Sequence, residues 1–273
     1  MKVVLFCGGQ GLRMQEAEAR IPKPMVPIGH RPVLWHIMRY YAHFGHTDFV
    51  LCLGYNANVI KEFFLNYNEA MSNDFVLFGD GRVELLRSDI EDWRITFVDT
   101  GLQASVGQRL RAARPYLEDD EVFLASYGDT LTDAPLPDVI SSILGRGKTA
   151  GFLCVRPNSY TFHVVQLTDG DLVQGIESVT ESDLRINGGY FVFRREIFDF
   201  LGEDEDLIEE PFGRLIERRE LVAYPYDGFW APLDTLKDKH NLEALVESGR
   251  PPWALWETPH GVEKDDHASA PAG

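Results

Sequence analysis

The stretch VVLFCGGQGLR, residues 3–13, decides the fold. Its apolar run from Val3 to Phe6 is typical of a strand that is buried on both faces. The loop that follows the run contains Gly8, Gly9, Gln10, Gly11 and Arg13. Glycines let backbone N–H groups approach phosphate oxygens, and an arginine adds charge-assisted hydrogen bonds. The stretch therefore predicts a strand and a phosphate-binding loop, with a tight glycine turn that holds no ligand as the alternative.

The apolar pattern on the C-terminal side of this loop alternates between helix and strand. Leu34, Ile37, Met38 and Tyr41 recur at helical spacing, and residues 49–53 form a second buried strand. Further strands are predicted at 95–98, 122–125, 149–155, 163–167, 172–177 and 186–193, and further helices at 58–67, 108–114, 195–201, 210–219 and 235–248. This order predicts an α/β fold with a Rossmann-like, mixed but mostly parallel central sheet that is flanked by helices.

No linker clearly divides the chain, so residues 1–257 are predicted to form a single domain. The region after about residue 150 contains mostly strand patterns, which favours a smaller β-rich lobe. Residues 258–273 are polar, rich in proline, glycine and alanine, and without periodicity, so we expect a disordered tail.

Composition excludes several classes of function. The formal net charge of -17 opposes binding to nucleic acid through a broad basic surface. No apolar run approaches the length of a membrane span, and the N-terminus lacks the pattern of a signal peptide. Cys7, Cys52 and Cys154 show no metal-binding spacing and are expected to be free thiols. We therefore expect a cytoplasmic protein that binds neither membranes nor nucleic acid.

A second segment, PKPMVPIG at residues 22–29, presents Lys23 between two prolines. Prolines stiffen the backbone, and a lysine held in this way can neutralise a triphosphate as a point charge. Taken alone, the segment is more typical of a solvated loop lysine.

Together, the glycine-rich loop and the PKPM segment resemble the signature of the sugar-1-phosphate nucleotidyltransferases. Segments along residues 1–257 are similar to the glucose-1-phosphate cytidylyltransferase branch of that family. They are IGHRPVLWHIM at 28–38, LGY at 53–55, VIKEFF at 59–64, VDTG at 98–101, YGD at 127–129, INGGYF at 186–191 and FWAPLDT at 229–235. The resemblance implies a nucleotide-diphospho-sugar transferase-like fold, with a nucleotide-binding part at 1–150 and an acceptor-binding part at 151–257.

The resemblance also implies a reaction, in which an acceptor phosphate attacks the α-phosphorus of CTP and releases pyrophosphate. Arg13, Lys23 and Asp129 are the implied catalytic residues, and Asp129 and Asp234 are implied to hold Mg²⁺. Two carboxylates that act together with substrate phosphates suit this ion. An Asx turn or a helix cap is the alternative role for each aspartate, and this alternative is strongest for Asp234.

Further contacts are implied on both sides of the site. The implied nucleotide contacts are Gly8, Gly9, Gln10, Gly11, Arg13, Lys23, Gly54, Arg109 and Gly128, where Arg109 is expected to contact a phosphate. The implied acceptor contacts are His163, Glu177, Ser178, Asn187 and Gly188.

The chain departs from the family on the acceptor side. A lysine of the family is replaced by Ser178 and a glycine by His163. We therefore expect an acceptor other than plain glucose 1-phosphate, with His163 either contacting an anionic acceptor or filling the vacated space. Two other readings remain, namely the same fold with dTTP, UTP or GTP, and a non-catalytic nucleotide-binding homologue. The resemblance further implies a homo-oligomer, and no metal site is predicted at His36, His43 and His46.

Overall fold

The computed structural model describes residues 1–9, 21–158 and 162–257. Its strands are β1 (Val3–Cys7), β2 (Pro27–Ile28), β3 (Arg31–Pro32), β4 (Asp48–Leu53), β5 (Phe75–Leu77), β6 (Val83–Leu85), β7 (Arg94–Asp99), β8 (Val122–Tyr127), β9 (Thr130–Thr132), β10 (Ala150–Val155), β11 (His163–Leu167), β12 (Val173–Ser178), β13 (Ile186–Arg194), β14 (Leu221–Tyr226) and β15 (Trp230–Pro232). Its α-helices are α1 (Val33–His43), α2 (Ala57–Leu65), α3 (Val106–Ala113), α4 (Leu136–Leu144), α5 (Glu210–Glu217) and α6 (Leu236–Glu247).

A seven-stranded sheet forms the centre of the molecule, in the order β14-β10-β13-β8-β1-β4-β7. The β1–β4, β1–β8, β4–β7 and β10–β14 pairs are parallel. β13 runs antiparallel to both of its neighbours. The predicted mixed, mostly parallel sheet is therefore confirmed.

Two apolar layers cover the sheet because side chains alternate along each strand. Val3 and Leu5 of β1 pack in a cluster that includes residues of α1, α4 and α6. Val4 and Phe6 point to the other face, into a cluster with residues of α3 and α5. β1 is consequently buried over its whole length, as its continuous apolar run predicts.

The C-terminal half of the chain does not form a separate sheet. β10, β13 and β14 lie in the same central sheet as β1, so a boundary near residue 150 falls inside that sheet. The β-rich part outside it is mainly the two-stranded ribbon β11–β12, which closes at the predicted turn of residues 168–171. The division into nucleotide-binding and acceptor-binding parts stays a prediction about ligands.

Several elements differ from the predictions. The predicted helix at 195–201 is a 3-10 helix over Arg195–Asp199. The short strands β5, β6, β9 and β15, the edge strand β14 and helix α4 were not predicted. The predicted disordered tail, residues 258–273, lies outside the described residues.

Two of the three cysteines lie in the core, as predicted. Cys7 and Cys52 are buried free thiols, and Cys154 is a free thiol of intermediate exposure. Among the described helices, none is both long and apolar enough to span a membrane.

Candidate active site

A cavity of about 490 Å³ opens at the carboxyl ends of the central strands. This is the edge where ligands bind in open α/β sheets, and the volume lies within the usual range of ligand pockets. The described residues that line it include Gly8, Gly9, Lys23, Arg109, Tyr127, Asp129, Asn187, Trp230 and Asp234. Most of the predicted nucleotide and metal residues therefore meet in one place.

Asp129 and Asp234 are brought together by a small antiparallel sheet, β9–β15. Thr130 pairs with Pro232 in this sheet, and the backbone N–H of Leu233 donates to the carbonyl of Asp129 at 2.8 Å. Asp129 thus leaves the carboxyl end of β8 beside the segment that carries Asp234. Residues that lie far apart in the sequence become neighbours because two three-residue strands pair.

Lys23 lies between the two carboxylates. Its Nζ is 2.6 Å from Oδ2 of Asp129 and 2.5 Å from Oδ1 of Asp234. Burial alone would lower the pKa of Lys23, but the two carboxylates outweigh burial and raise its pKa above the ordinary value. The ammonium is therefore charged at neutral pH, and the two carboxylates share this one cation.

The side chain of Asp234 is not the cap of the helix that follows it. Thr235 caps α6, its hydroxyl accepting from the backbone N–H of Asp238, whose carboxylate accepts in return from the backbone N–H of Thr235. This capping box leaves the carboxylate of Asp234 to Lys23. The helix cap that the sequence predicts at Asp234-Thr235 is therefore provided by Thr235 and not by Asp234.

Arg109 joins the carboxyl ends of three neighbouring parallel strands. Its Nη1 donates to the carbonyls of Leu53 and Gly101, at 3.1 Å each, and to the hydroxyl of Thr100. Its Nη2 donates to the carbonyl of Gly8 at 3.0 Å. These partners follow or end β1, β4 and β7, so Arg109 ties the floor of the cavity together. Its contact with a phosphate stays a prediction.

Glycines occupy the positions where the floor is most crowded. A Cβ atom on Gly8 would lie 2.0 Å from Nη1 of Arg109, and one on Gly54 would lie 2.8 Å from the same nitrogen. A Cβ atom on Gly128 would lie 3.0 Å from the carbonyl oxygen of Phe6. Gly9 has no neighbour within 4 Å of such an atom, so it is open to the cavity.

The rest of the glycine-rich loop lies outside the described residues. It contains three predicted nucleotide contacts, Gln10, Gly11 and Arg13. Their roles stay predictions.

Of the five predicted acceptor residues, Asn187 and Gly188 lie beside the cavity. Asn187 lines it and donates from Nδ2 to the hydroxyl of Tyr127 at 3.2 Å. The carbonyl of Gly188 accepts from the indole N–H of Trp230 at 2.8 Å. A Cβ atom on Gly188 would lie 3.0 Å from the carbonyl oxygen of Leu153, so a larger residue at this position would require its neighbours to shift.

His163, Glu177 and Ser178 lie on the β11–β12 ribbon. His163 and Ser178 are direct partners in its register, but neither they nor Glu177 are among the described residues that line the cavity. His163 is exposed, so it does not fill a buried gap. Ser178 shares a hydrogen bond of 2.8 Å with Thr180. Their contact with an acceptor stays a prediction.

Comparison with known proteins shows the family to which the chain belongs. The chain is 39% identical over 258 residues to the glucose-1-phosphate cytidylyltransferase of Salmonella typhimurium, which covers 94% of this chain and 100% of the relative. The enzyme of that name from Salmonella typhi matches equally well, at 39% identity over the same coverage. The chain belongs to the glucose-1-phosphate cytidylyltransferase family. No family model matches the chain.

Solved structures confirm the fold of this cytidylyltransferase-family chain. A UTP-bound UGPase from Acinetobacter baumannii superposes with a TM-score of 0.67 at 16% identity, over 93% of this chain and 96% of the other. At that identity the likeness concerns the fold alone. The predicted family, the predicted fold and the assignment as a nucleotidyltransferase are confirmed.

The cytidylyltransferase-family site also contains residues to which the sequence assigned no role. Tyr127, Trp230 and Asp206 line the cavity. Tyr127 and Trp230 lie inside family-like motifs, which is a signal for their position but not for their function. Asp206 lies in an acidic surface stretch, EDED at residues 203–206, where no pattern distinguishes it from its neighbours.

His36, one of the three histidines at which no metal site is predicted, is buried in the core. Burial lowers the pKa of His36 to about 4, so its ring is neutral at neutral pH. The ring accepts from Trp253 at Nδ1 and contacts the carbonyl of Ile28 from Nε2 at 3.0 Å. Within the part of the chain that the structure describes, no three His, Cys, Asp or Glu side chains form a metal-binding group.

Proposed function

We propose that this nucleotidyltransferase moves a cytidylyl group from CTP to a sugar 1-phosphate and releases pyrophosphate. The observation that carries the proposal is the convergence of Asp129 and Asp234 on Lys23 at the carboxyl ends of the central strands. Membership of the cytidylyltransferase family supports CTP as the donor and a sugar 1-phosphate as the acceptor class.

The reaction needs no covalent bond to the enzyme. An oxygen of the acceptor phosphate attacks the α-phosphorus of CTP, a new P–O bond forms, and the bond to the β-phosphate oxygen breaks as pyrophosphate leaves. Catalysis then consists of holding the two phosphates in line and neutralising the charge that develops between them. Lys23 is the cation in the described part of the cavity wall that is best placed for this role, because its ammonium lies at the strand ends.

The two aspartates fit a Mg²⁺ ion. They are hard oxygen donors, and they already share one cation in the form of the Lys23 ammonium. Two carboxylates are too few to complete the coordination of Mg²⁺, which normally keeps several waters and binds substrate phosphates. We propose that Asp129 and Asp234 hold Mg²⁺ together with the nucleotide. When bound, the ion would withdraw charge from the α-phosphate.

The floor of the cavity around Gly8 and Arg109 has room for a flat group. The carbonyls of Gly8, Leu53 and Gly101 converge on Arg109, and no side chain at Gly8 or Gly54 intrudes. We propose that the base of CTP lies over this floor, while its phosphates extend towards Lys23. The same floor would accept other pyrimidine nucleotides, so the choice of base has to be measured.

The acceptor side leads to a narrower proposal. Ser178 stands where the family carries a lysine that contacts the sugar phosphate, and its hydroxyl is engaged with Thr180. Loss of a charge-assisted contact commonly costs one to two decades of affinity. We propose that glucose 1-phosphate is a poor acceptor and that a related sugar phosphate is preferred.

The test is pyrophosphate release with Mg²⁺, with CTP, dTTP, UTP and GTP each offered against a panel of sugar phosphates. We expect turnover with CTP and a higher kcat/KM for an acceptor other than glucose 1-phosphate. Normal turnover with glucose 1-phosphate would contradict the narrower proposal alone. Turnover with another nucleotide but not with CTP would contradict the choice of base.

The absence of pyrophosphate release with every combination of nucleotide and sugar phosphate would overturn the proposed reaction. Calorimetry with CTP then separates two cases. Binding without turnover would identify a non-catalytic nucleotide-binding homologue, and the absence of binding would contradict the site itself.

A further inference from the structure

The acidic segment of residues 203–206, with the sequence EDED, packs against the start of α3. The hydroxyl of Ser105, the N-cap residue of α3, donates to the carbonyl of Glu205 at 2.7 Å. A Cβ atom on Gly107 would lie 2.5 Å from the same carbonyl oxygen and 3.1 Å from the backbone nitrogen of Leu207. The backbone of the segment is therefore in direct contact with α3, and this contact fixes the segment beside the active-site cavity, which Ser105 lines.

Three of the four carboxylates of this segment accept hydrogen bonds from side chains of α3 or α5. The pairs are Glu203 with Arg111, Asp204 with Gln108, and Glu205 with Arg214. None of these three carboxylate residues is among the described residues that line the cavity. Their side chains attach the segment to the neighbouring helices.

Asp206, the fourth carboxylate, is placed differently. It lines the cavity, and its Oδ1 accepts from the backbone N–H of Ile208 at 3.1 Å, which fixes the side chain. In the described part of the chain, no lysine or arginine forms an ion pair with Asp206, and its Oδ2 has no hydrogen-bond partner. The segment thus presents one carboxylate to the cavity without a compensating cation.

Asp206 shares one end of the cavity with Tyr127 and Asn187. Nδ2 of Asn187 donates to the hydroxyl of Tyr127 at 3.2 Å. Burial, and after it the charge of Asp206, raises the pKa of Tyr127 to about 12, so Asp206 is close enough to act on this hydroxyl, which keeps its proton at neutral pH. Asn187 is a predicted acceptor contact, and we therefore assign this end of the cavity to the acceptor.

The charges of the two substrates make an uncompensated carboxylate unfavourable at this end. A sugar 1-phosphate and a nucleoside triphosphate are both anionic, so both repel the carboxylate of Asp206 when they are bound in the same cavity. A hydroxyl group of the sugar would donate a hydrogen bond to this carboxylate but would leave its charge uncompensated. An ammonium group at the same place would donate the hydrogen bond and also neutralise the charge.

We propose that Asp206 selects an amino sugar 1-phosphate as the acceptor, by binding the ammonium group of the sugar. This inference rests on the proposed function, because it names the class of acceptor for the same site. The phosphate of the acceptor lies towards Lys23, and the ammonium group lies at the end formed by Asp206, Tyr127 and Asn187. Asp206 takes no part in the bonds that form and break, so its role is specificity.

Pyrophosphate release by the full chain with CTP and Mg²⁺ tests the proposal. The acceptors are glucose 1-phosphate and its four analogues in which an amino group replaces the hydroxyl at C2, C3, C4 or C6. The amino group is thus offered at each position of the same sugar. We expect the kcat/KM of one analogue to exceed that of glucose 1-phosphate by about 10- to 100-fold, mainly through a lower KM, because a hydrogen bond between charged groups is gained.

Asp206→Asn removes the charge and keeps the shape of the side chain. We expect it to lower kcat/KM for the preferred amino sugar by about 10- to 100-fold and not to lower it for glucose 1-phosphate. Asp204→Asn is the matched control, because it removes the same charge from a side chain of the same segment that does not line the cavity. It should retain the preference. Thermal unfolding and calorimetry with CTP are followed for both variants, which separates a change in acceptor choice from loss of the fold or of donor binding.

The outcomes that overturn the inference differ from those that overturn the proposed function. Amino sugars that are no better than glucose 1-phosphate would exclude the ammonium group as the selected feature, while release of pyrophosphate would leave the proposed function standing. A preference that survives Asp206→Asn, or that Asp204→Asn also removes, would exclude Asp206 as its origin. An equal loss with all acceptors in Asp206→Asn would contradict a role in specificity. The absence of pyrophosphate release with every acceptor would contradict the proposed function itself.

Discussion

The two sides of the cavity are built in different ways. On the donor side, Lys23 is held between two carboxylates and Arg109 is held by strand-end carbonyls, in partly or fully buried positions. On the acceptor side, His163 and Ser178 lie on a two-stranded ribbon whose residues are mostly exposed. The donor side is part of the packed sheet, whereas the predicted acceptor residues of the ribbon are attached to it.

This difference indicates on which side of the cavity a substitution costs less stability. A substitution on the donor floor disturbs buried hydrogen bonds and the sheet beneath, which is costly. A substitution on the ribbon leaves the core untouched. Two of the predicted departures from the family's pattern, at His163 and Ser178, lie on the ribbon.

The largest effect is expected for Asp129→Asn on the donor side. Removing this charge should lower turnover by about 10³-fold, because one of the two carboxylates proposed to hold Mg²⁺ beside the reacting phosphate is lost. Thermal unfolding should change little, since the asparagine keeps the shape of the side chain. Asp138→Asn, on helix α4, is the control and should keep full activity. Turnover that survives Asp129→Asn would contradict the assignment of Asp129 to the reaction.

Lys23→Met should separate two effects of the Lys23 ammonium. One is its charge in the reaction, and the other is its competition with a metal ion for the two carboxylates. We expect turnover to fall by about 10²-fold, since the charge opposite the phosphates is lost. In the absence of nucleotide, Mn²⁺ should bind about tenfold more tightly, because the ammonium no longer competes for the two carboxylates. Electron paramagnetic resonance of Mn²⁺ measures this affinity, with Lys61→Met on α2 as the control. Unchanged Mn²⁺ affinity would show that the aspartates do not form the metal site.

Gly8→Ala tests the rigidity of the donor floor. The added methyl group would overlap the guanidinium of Arg109 and force it away from the strand-end carbonyls. We expect a loss of about 1–3 kcal/mol in the free energy of unfolding and weaker CTP binding by calorimetry. Gly9→Ala is the matched control, since it meets nothing within 4 Å and should leave the free energy of unfolding unchanged. Equal effects of the two variants would argue against the floor as described.

Ser178→Lys tests the acceptor side and should have the smallest effect. A restored ammonium should lower the KM for glucose 1-phosphate by up to about tenfold, while the KM for CTP and the unfolding temperature stay unchanged. Gln174→Lys is the control, because it adds the same charge at an exposed position of the same strand, β12. Ser182→Ala would be unsuitable, because the side chain of Ser182 is buried. Equal effects of Ser178→Lys and Gln174→Lys would exclude a specific acceptor contact at Ser178.

Much of the fold was predictable because the spacing of apolar residues along the sequence reflects which side chains are buried. The apolar run from Val3 to Phe6 and the spacing of Leu34, Ile37 and Met38 predicted β1 and α1 with nearly correct ends. Prediction failed where an element is stabilised by a partner distant in sequence. β9 and β15 are three residues each, too short to show a pattern, and they form because they pair with each other.

The candidate site was predictable by residue type more than by role. Motifs singled out Lys23, Asp129, Asp234 and Arg109, and all four line the cavity. Arg109 donates hydrogen bonds to backbone carbonyls at the ends of three strands. The sequence could not predict these partners, because backbone atoms have no sequence signature. It also left Asp234 open as a helix cap, which Thr235 and Asp238 provide instead.

The sequence by itself determined the family, the alternation of strands and helices, and the chemical groups available to the site, because these depend on side-chain identity and local periodicity. Only the tertiary structure decided which groups meet. Pairing of β9 with β15 places two distant carboxylates on one ammonium. This pairing joins residues that lie far apart in the chain. It is fixed by the packing of the whole molecule.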